Sequence, residues 1–247
     1  MKTQQRTFPF RALKPGFTLV ELMVTIVIVV ILASFVFIGT SRLRAATDKA
    51  VSVSNLKKLQ VANGLYASDH NGRFASTFTK DSNGGTGNLW DRTSNFLDGY
   101  IGPSQPTRGN SQESRISPED LDPVAFRAKQ NGYDTLKASY GMISKENYSG
   151  SSKDVDSSYR NSELSTPQST AAFVTAVNWL VQYSGRSSWK GVEGKINAPM
   201  IAYRHKNKAL VVYYDGHVGS ITKEDMAAFD RRGGKNNSFW KGTNGTR

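Results

Sequence analysis

The sequence predicts an α+β protein in which one long N-terminal helix, transmembrane in its first half, packs on a mainly antiparallel sheet with long loops. Three observations carry this expectation. From Phe17 to Ile38 the chain is apolar except at Thr18, Glu21, Thr25 and Ser34. Helical spacing of apolar residues then continues to about Ser68. Near the C-terminus two strand-like segments flank Asp215-Gly216, a pair favoured in tight hairpin turns.

The first element is the apolar run. Its 22 residues would span about 33 Å as a helix, one hydrocarbon core. Residues 17–38 therefore read as a membrane span, preceded by a basic leader, 1–16, with Lys2, Arg6, Arg11 and Lys14. Beyond the run stand Arg42, Arg44 and Lys49 with Asp48, so charge asymmetry alone barely orients the segment. An ionised Glu21 inside such a helix costs up to about 3 kcal/mol and calls for a partner or a function.

No Pro follows until Pro103. Leu43, Ala46, Ala50 and Val53, then Leu56, Leu59, Ala62 and Tyr66, keep helical spacing, while Lys49, Lys57, Lys58 and Gln60 fall off the stripe. The spacing predicts one continuous helix whose second half, 39–70, offers the stripe to a sheet. Asp69-His70-Asn71-Gly72 supplies a left-handed stop.

A head over 71–230 follows. Ser76 to Pro123 is polar with islands at Leu89-Trp90, Phe96-Leu97 and Tyr100-Ile101, which predicts surface loops and short helices pinned by aromatics. Lys145 to Gln168 is Ser-rich and predicts a mobile loop. Thr170 to Tyr183 holds two apolar bursts that fit a buried strand, with a short helix as the alternative. Lys208 to Tyr214 and His217 to Thr222 predict a hairpin closed by a two-residue type I′ turn at Asp215-Gly216, with His217 packed across from Tyr214. Residues 231–247 are Gly, Asn and basic, anchored only by Phe239 and Trp240, and predict a loose tail.

The string Gly16-Phe17-Thr18-Leu19-Val20-Glu21-Leu22 resembles the cleavage and methylation signal of type IV pilins and type II secretion pseudopilins. The resemblance implies a pilin-like fold, a cut between Gly16 and Phe17 by a prepilin peptidase, N-methylation at Phe17, and an assembly role for Glu21. It further implies a leader retained in the cytoplasm, an inner-membrane anchor, and a head in the periplasm or in an extracellular filament. The implied partners are the membrane, the peptidase, other pilin-like subunits in a helical filament, and a secretion or pilus assembly platform. A processed Phe17 ammonium and the Glu21 of a neighbour would offset each other's burial in low dielectric. Ser54-Asn55-Leu56-Lys57-Lys58-Leu59, Tyr66, Asp69, Gly72 and Phe74 also resemble a subgroup whose C-terminal signature is His, nine residues, then Asp-Gly. His205, Asp215 and Gly216 satisfy that spacing, and Ser139-Tyr140-Gly141-Met142 resembles a strand of the same subgroup.

Simpler readings compete. A secretory signal peptide should have an apolar core of about 7–15 residues and a small-residue cleavage site, which the longer run followed by Arg42 and Arg44 does not match. A plain signal anchor with a binding, adhesin or DNA-uptake head fits the length but leaves the Gly-Phe-Thr-Leu-Val-Glu string unexplained.

Composition narrows the rest. Without Cys, the chain has no disulfide, thiolate nucleophile or Cys-based metal site. The formal charge is +12, falling to +8 once the four leader cations are removed. Basic residues are scattered, with concentrations only at Arg204 to Lys208 and Arg231 to Arg247, so nucleic acid is not the expected partner. His205, Asp215 and His217 are the only candidate metal set, and strand geometry separates them too far for one ion, so no metal and no cofactor are expected. Glu224, Asp225 and Asp230 lack the spacing of a calcium loop. No Gly-x-Ser-x-Gly elbow, phosphate-cradling loop or His-Glu-x-x-His helix is present, and the expectation is a protein that is not an enzyme.

Overall fold

A computed structural model describes residues 16–79, 88–91, 96–102, 115–130, 139–144, 158–186, 189–191 and 200–242. The chain divides into two units, Met1–Arg44 and Ala45–Arg247. Residues 1–15, 80–87, 92–95, 103–114, 131–138, 145–157, 187–188, 192–199 and 243–247 lie outside the described residues.

Helix α1 runs Leu19–Asp69. In the first unit every Phe, Leu, Val, Ile and Met from Phe17 to Phe35 is between 49 % and 74 % exposed. A helix apolar on all sides is a helix that something else must cover. No helix among the described residues is long and apolar enough to cross a membrane. Within the apolar half of α1 the side chains described without a break run from Leu19 to Phe35, 17 residues, and the expected span over 17–38 rests on the sequence, which stays apolar through Val36, Phe37 and Ile38.

In the second unit α1 ends where expected. Asn71 and Gly72 adopt φ of 53° and 74°, and the Gly72 amide returns to the Ala67 carbonyl at 2.8 Å, a Schellman-type closure. The stripe that α1 buries is not the expected one at its start. Leu43, Ala46 and Ala50 are exposed, while Asp48, Ser52 and Asn55 are buried. The reason is polar: a segment from Pro118 to Gln130, with helix α2 over Pro123–Gln130, lies on that face and satisfies it. Arg127 clasps Asp48 with two bonds of 2.9 and 2.6 Å, the Asn55 amide donates to the Glu119 and Leu121 carbonyls, and Lys58 meets Asp120 at 2.8 Å. From Leu56 onward the expected stripe holds, with Leu56, Leu59 and Ala62 in the core.

A five-stranded sheet has the order β5-β3-β4-β6-β7. Its strands are β3 Tyr140–Ile143, β4 Ala171–Thr175, β5 Leu180–Val181, β6 Ala209–Tyr213 and β7 Val218–Ile221. All neighbours are antiparallel except β3 and β5, which are parallel. A separate two-stranded ribbon joins β1 Phe78–Thr79 to β2 Asn88–Leu89. Thr170 to Tyr183 thus holds two strands where one was expected.

One face of the sheet, with Tyr140, Met142, Leu210 and Val212, packs under α1. The other face, with Val174, Ala209, Val211 and Ile221, is covered by Met200 to Tyr203 and by Met226, Phe239 and Trp240. A register shift between Ala171 and Phe173 turns Ala172 and Phe173 toward the same core, as a bulge does. Gly141 permits the close β3–β5 approach: a Cβ there would stand 2.7 Å from the Asn178 carbonyl oxygen and from a Val181 methyl.

Two polar stretches are more ordered than their composition suggests. Within Lys145 to Gln168, the described part from Ser158 is folded, with Tyr159 buried and its carbonyl accepting from Phe74 N at 2.9 Å. The expected loose tail from Arg231 is packed as far as Gly242, because Phe239 and Trp240 are core residues behind helix α3, Lys223–Arg231.

The hairpin is present but closes differently. Val212 faces Val218, and the Tyr213 amide donates to the His217 carbonyl at 3.0 Å, so the loop is Tyr214-Asp215-Gly216. The Gly216 amide returns to Tyr213 at 2.9 Å and only Gly216 has positive φ, 91°, the pattern of a three-residue loop with a terminal left-handed Gly. This one-residue shift places His217 against Tyr213, rings 4.3 Å apart and stacked at 7°, and sends Tyr214 to the α1 side. The type I′ geometry sits earlier, where Lys206 and Asn207 take φ of 52° and 61° between the paired His205 and Lys208.

Candidate processing and assembly site

The site is built at the start of α1. Gly16 and Phe17 are exposed and precede the helix, and beyond its chain neighbours no described residue comes within 4 Å of where a Cβ on Gly16 would stand, so the Gly16–Phe17 peptide is accessible among the described residues. The helix begins at Thr18 because Thr18 and Glu21 cap each other. Thr18 N and Thr18 Oγ1 both donate to Glu21 Oε2, at 2.9 and 2.8 Å, while Glu21 N donates to Thr18 Oγ1 at 3.2 Å. This is a reciprocal capping box, and it places a carboxylate at the positive end of the helix. Glu21 Oε1 has no partner among the described residues, so the acid keeps one oxygen open to a cation.

The other polar side chains of the apolar stretch are satisfied within the helix. Thr25 Oγ1 donates to the Leu22 carbonyl and Ser34 Oγ to the Val30 carbonyl, each at 2.8 Å. Among the described residues Glu21 alone carries a charged oxygen without a partner there. Thr18 was not among the site residues expected from the sequence, although Thr-x-x-Glu before an apolar run is a helix-start pattern that could have found it.

His205 is not brought to the Asp215-Gly216 turn. Asp215 pairs locally with His217, Oδ1 to Nδ1 at 2.7 Å, on the exposed turn. His205 turns inward, where its Nε2 lies 2.8 Å from Asp122 Oδ2. Asp122 is fully buried and also accepts from Ser52 Oγ at 2.9 Å and from the Val124 and Ala125 amides at 2.9 and 3.2 Å. It is the N-cap of α2, with Pro123 next in the first helical position. Burial pushes the Asp122 carboxyl up, but the His205 hydrogen bond, the Arg204 charge and the Ala125 amide together hold it below the ordinary aspartate value. Arg204 is in turn fixed by the Ser139 and Ala176 carbonyls, at 3.0 and 2.7 Å.

The order of contact is Ser52, Asp122, His205, with the carboxylate in the middle. A nucleophile–base pair needs the imidazole in that place, so this arrangement ties elements together and does not activate Ser52. Among the described residues no three His, Asp or Glu side chains gather in a way that could hold a metal ion. Glu224, Asp225 and Asp230 are separate as well: Asp225 caps α3 through Thr222, and Asp230 accepts from Arg186 Nε at 2.8 Å.

Residues 12–37 match the family model of the prokaryotic N-terminal methylation motif, the prepilin motif of type IV pilin-like proteins. The match contains the Gly16–Phe17 junction, the Thr18–Glu21 cap and the apolar stretch as far as Phe37, and says nothing of the head. Comparisons with curated proteins and with solved structures each found no match.

Proposed function

With the prokaryotic N-terminal methylation motif as premise, we propose that the chain is a non-enzymatic pilin-like subunit, a pseudopilin of a type II secretion pseudopilus or a related type IV filament. Prepilin peptidase cuts between Gly16 and Phe17, and Phe17 receives the N-methyl group. Residues 17–38 hold the subunit in the inner membrane, with the leader cytoplasmic and the second unit exported. Glu21 then guides entry into the filament by meeting the Phe17 ammonium of a neighbouring subunit.

The observation that carries this reading is the first-unit helix: apolar on every side and exposed from Leu19 to Phe35, and bearing one carboxylate with an open oxygen directly after an accessible Gly-Phe peptide. Each exposed apolar side chain gains about 1.5–3 kcal/mol when covered, which far outweighs one partly satisfied acid. Lipid before assembly and neighbouring helices after it would supply that cover. The reading requires no catalytic group in the head.

Mass spectrometry of the protein from a host with a prepilin peptidase tests it directly. A mature chain starting at N-methylated Phe17 is expected. A chain that begins at Met1, or is cut elsewhere, overturns it.

A further inference from the structure

We propose that Arg42 and Arg44 bind the phosphates of anionic lipids in the leaflet that faces the exported head, an inference that rests on the membrane reading above. Both lie on α1, both are exposed, and neither forms an ion pair among the described residues. The acid that could neutralise Arg44 is Asp48, one helical turn further on, a spacing that favours pairing. Asp48 is instead spent: its two oxygens go to Nη1 and Nη2 of Arg127. The segment that covers the buried side of α1 therefore takes from Arg44 its one-turn acid, and Arg42, with Ile38, Gly39, Ala45 and Ala46 one turn away, has none, so neither charge is compensated among the described residues.

Their height matches a lipid headgroup. At about 1.5 Å per residue, Arg42 and Arg44 stand roughly 6 and 9 Å beyond Ile38, and the headgroup layer outside the hydrocarbon core is roughly 5–7 Å deep on each side. Arg42 lies within that layer and the side chain of Arg44 reaches back to it. Guanidinium groups present paired N–H donors that suit phosphate oxygens. Basic residues this close to the exported end of a span work against export, and here Arg42, Arg44 and Lys49 stand against the four cations of the leader. A phosphate contact offsets that conflict, and it adds to the hold that assembly must release when the subunit leaves the bilayer.

The test uses the full-length chain reconstituted in mixed phosphatidylcholine and phosphatidylglycerol bilayers. Electron paramagnetic resonance of spin-labelled versions of each lipid reads the fraction immobilised at the protein surface. The wild-type chain should prefer phosphatidylglycerol, and R42Q/R44Q should lose about five- to 25-fold of that preference, at about fivefold for each cation. An equal preference in both proteins overturns the phosphate contact while the immobilised lipid itself upholds the span. Loss of the preference in inorganic phosphate, beyond that in chloride of equal ionic strength, overturns the lipid as the ligand. Absence of any immobilised lipid overturns the membrane reading and this inference with it.

Discussion

His205 Nε2 and Asp122 Oδ2 lie 2.8 Å apart, both buried, across 83 residues of chain. Asp122 also takes a bond from Ser52 on α1, so one carboxylate joins the long helix, the start of α2 and the approach to β6. Truncating Asp122 to Ala should cost about 3–5 kcal/mol, because several buried donors lose their acceptor together. Asp122→Asn keeps the shape and removes the charge. The folded carboxyl is held below its ordinary value, so its contribution is present above about pH 3.9 and fades as pH falls through the lower folded value. Urea unfolding of wild type and Asp122→Asn should show a gap at pH 7 that narrows below pH 4. A constant gap would contradict this linkage.

Glu21→Ala should leave insertion and cleavage intact and impair incorporation into filaments; it also removes the Oε2 half of the Thr18 cap, so Thr18→Ala, which breaks the cap and keeps the carboxylate, is the control that should still assemble. Normal filament yield with a normally processed band is the outcome that rejects an assembly role.

Thr18→Ala breaks the reciprocal cap with Glu21 and should weaken the first turn by about 1 kcal/mol, or roughly fivefold in amide exchange protection over residues 19–22. Thr18→Ser retains the hydroxyl and should restore most of it. Hydrogen exchange in detergent micelles distinguishes them.

Gly141→Ala places a methyl 2.7 Å from the Asn178 carbonyl oxygen. Crowding the β3–β5 junction in this way should destabilise the head by about 1–3 kcal/mol. A melting temperature equal to that of wild type would mean the pair separates freely.

Lys206 holds a left-handed conformation, φ 52°, which residues other than Gly, Asn and Asp adopt at a cost of about 1 kcal/mol. Lys206→Asn should therefore raise stability by up to about 1 kcal/mol, whereas Gly216→Ala, at φ 91°, should lower it by at least as much. Thermal or urea unfolding gives the sign of each.

Local signals carried much of the fold. The α1 start and stop, the strand segments around Asp215-Gly216 and the buried bursts in 170–183 depend on neighbours a few residues apart, and short-range chemistry decides them. The turn inside the hairpin was misplaced because an Asp-Gly pair serves both a two-residue loop and the end of a three-residue one; only the Val212–Val218 register separates the two. The apolar Ala46 and Ala50 pattern was read as inward because polar residues count against burial, yet Asp48, Ser52 and Asn55 go inside once residues 118–130 supply their partners.

By itself the sequence determined the processing motif, the apolar first half of α1 and the carboxylate within it, since these need only a period, a length and a charge. Tertiary structure alone decided what His205 and Asp215 do. Asp122 stands in a polar insert with no pattern that points to His205, and a hydrogen bond between residues so far apart exists only when packing pays the entropy of bringing them together.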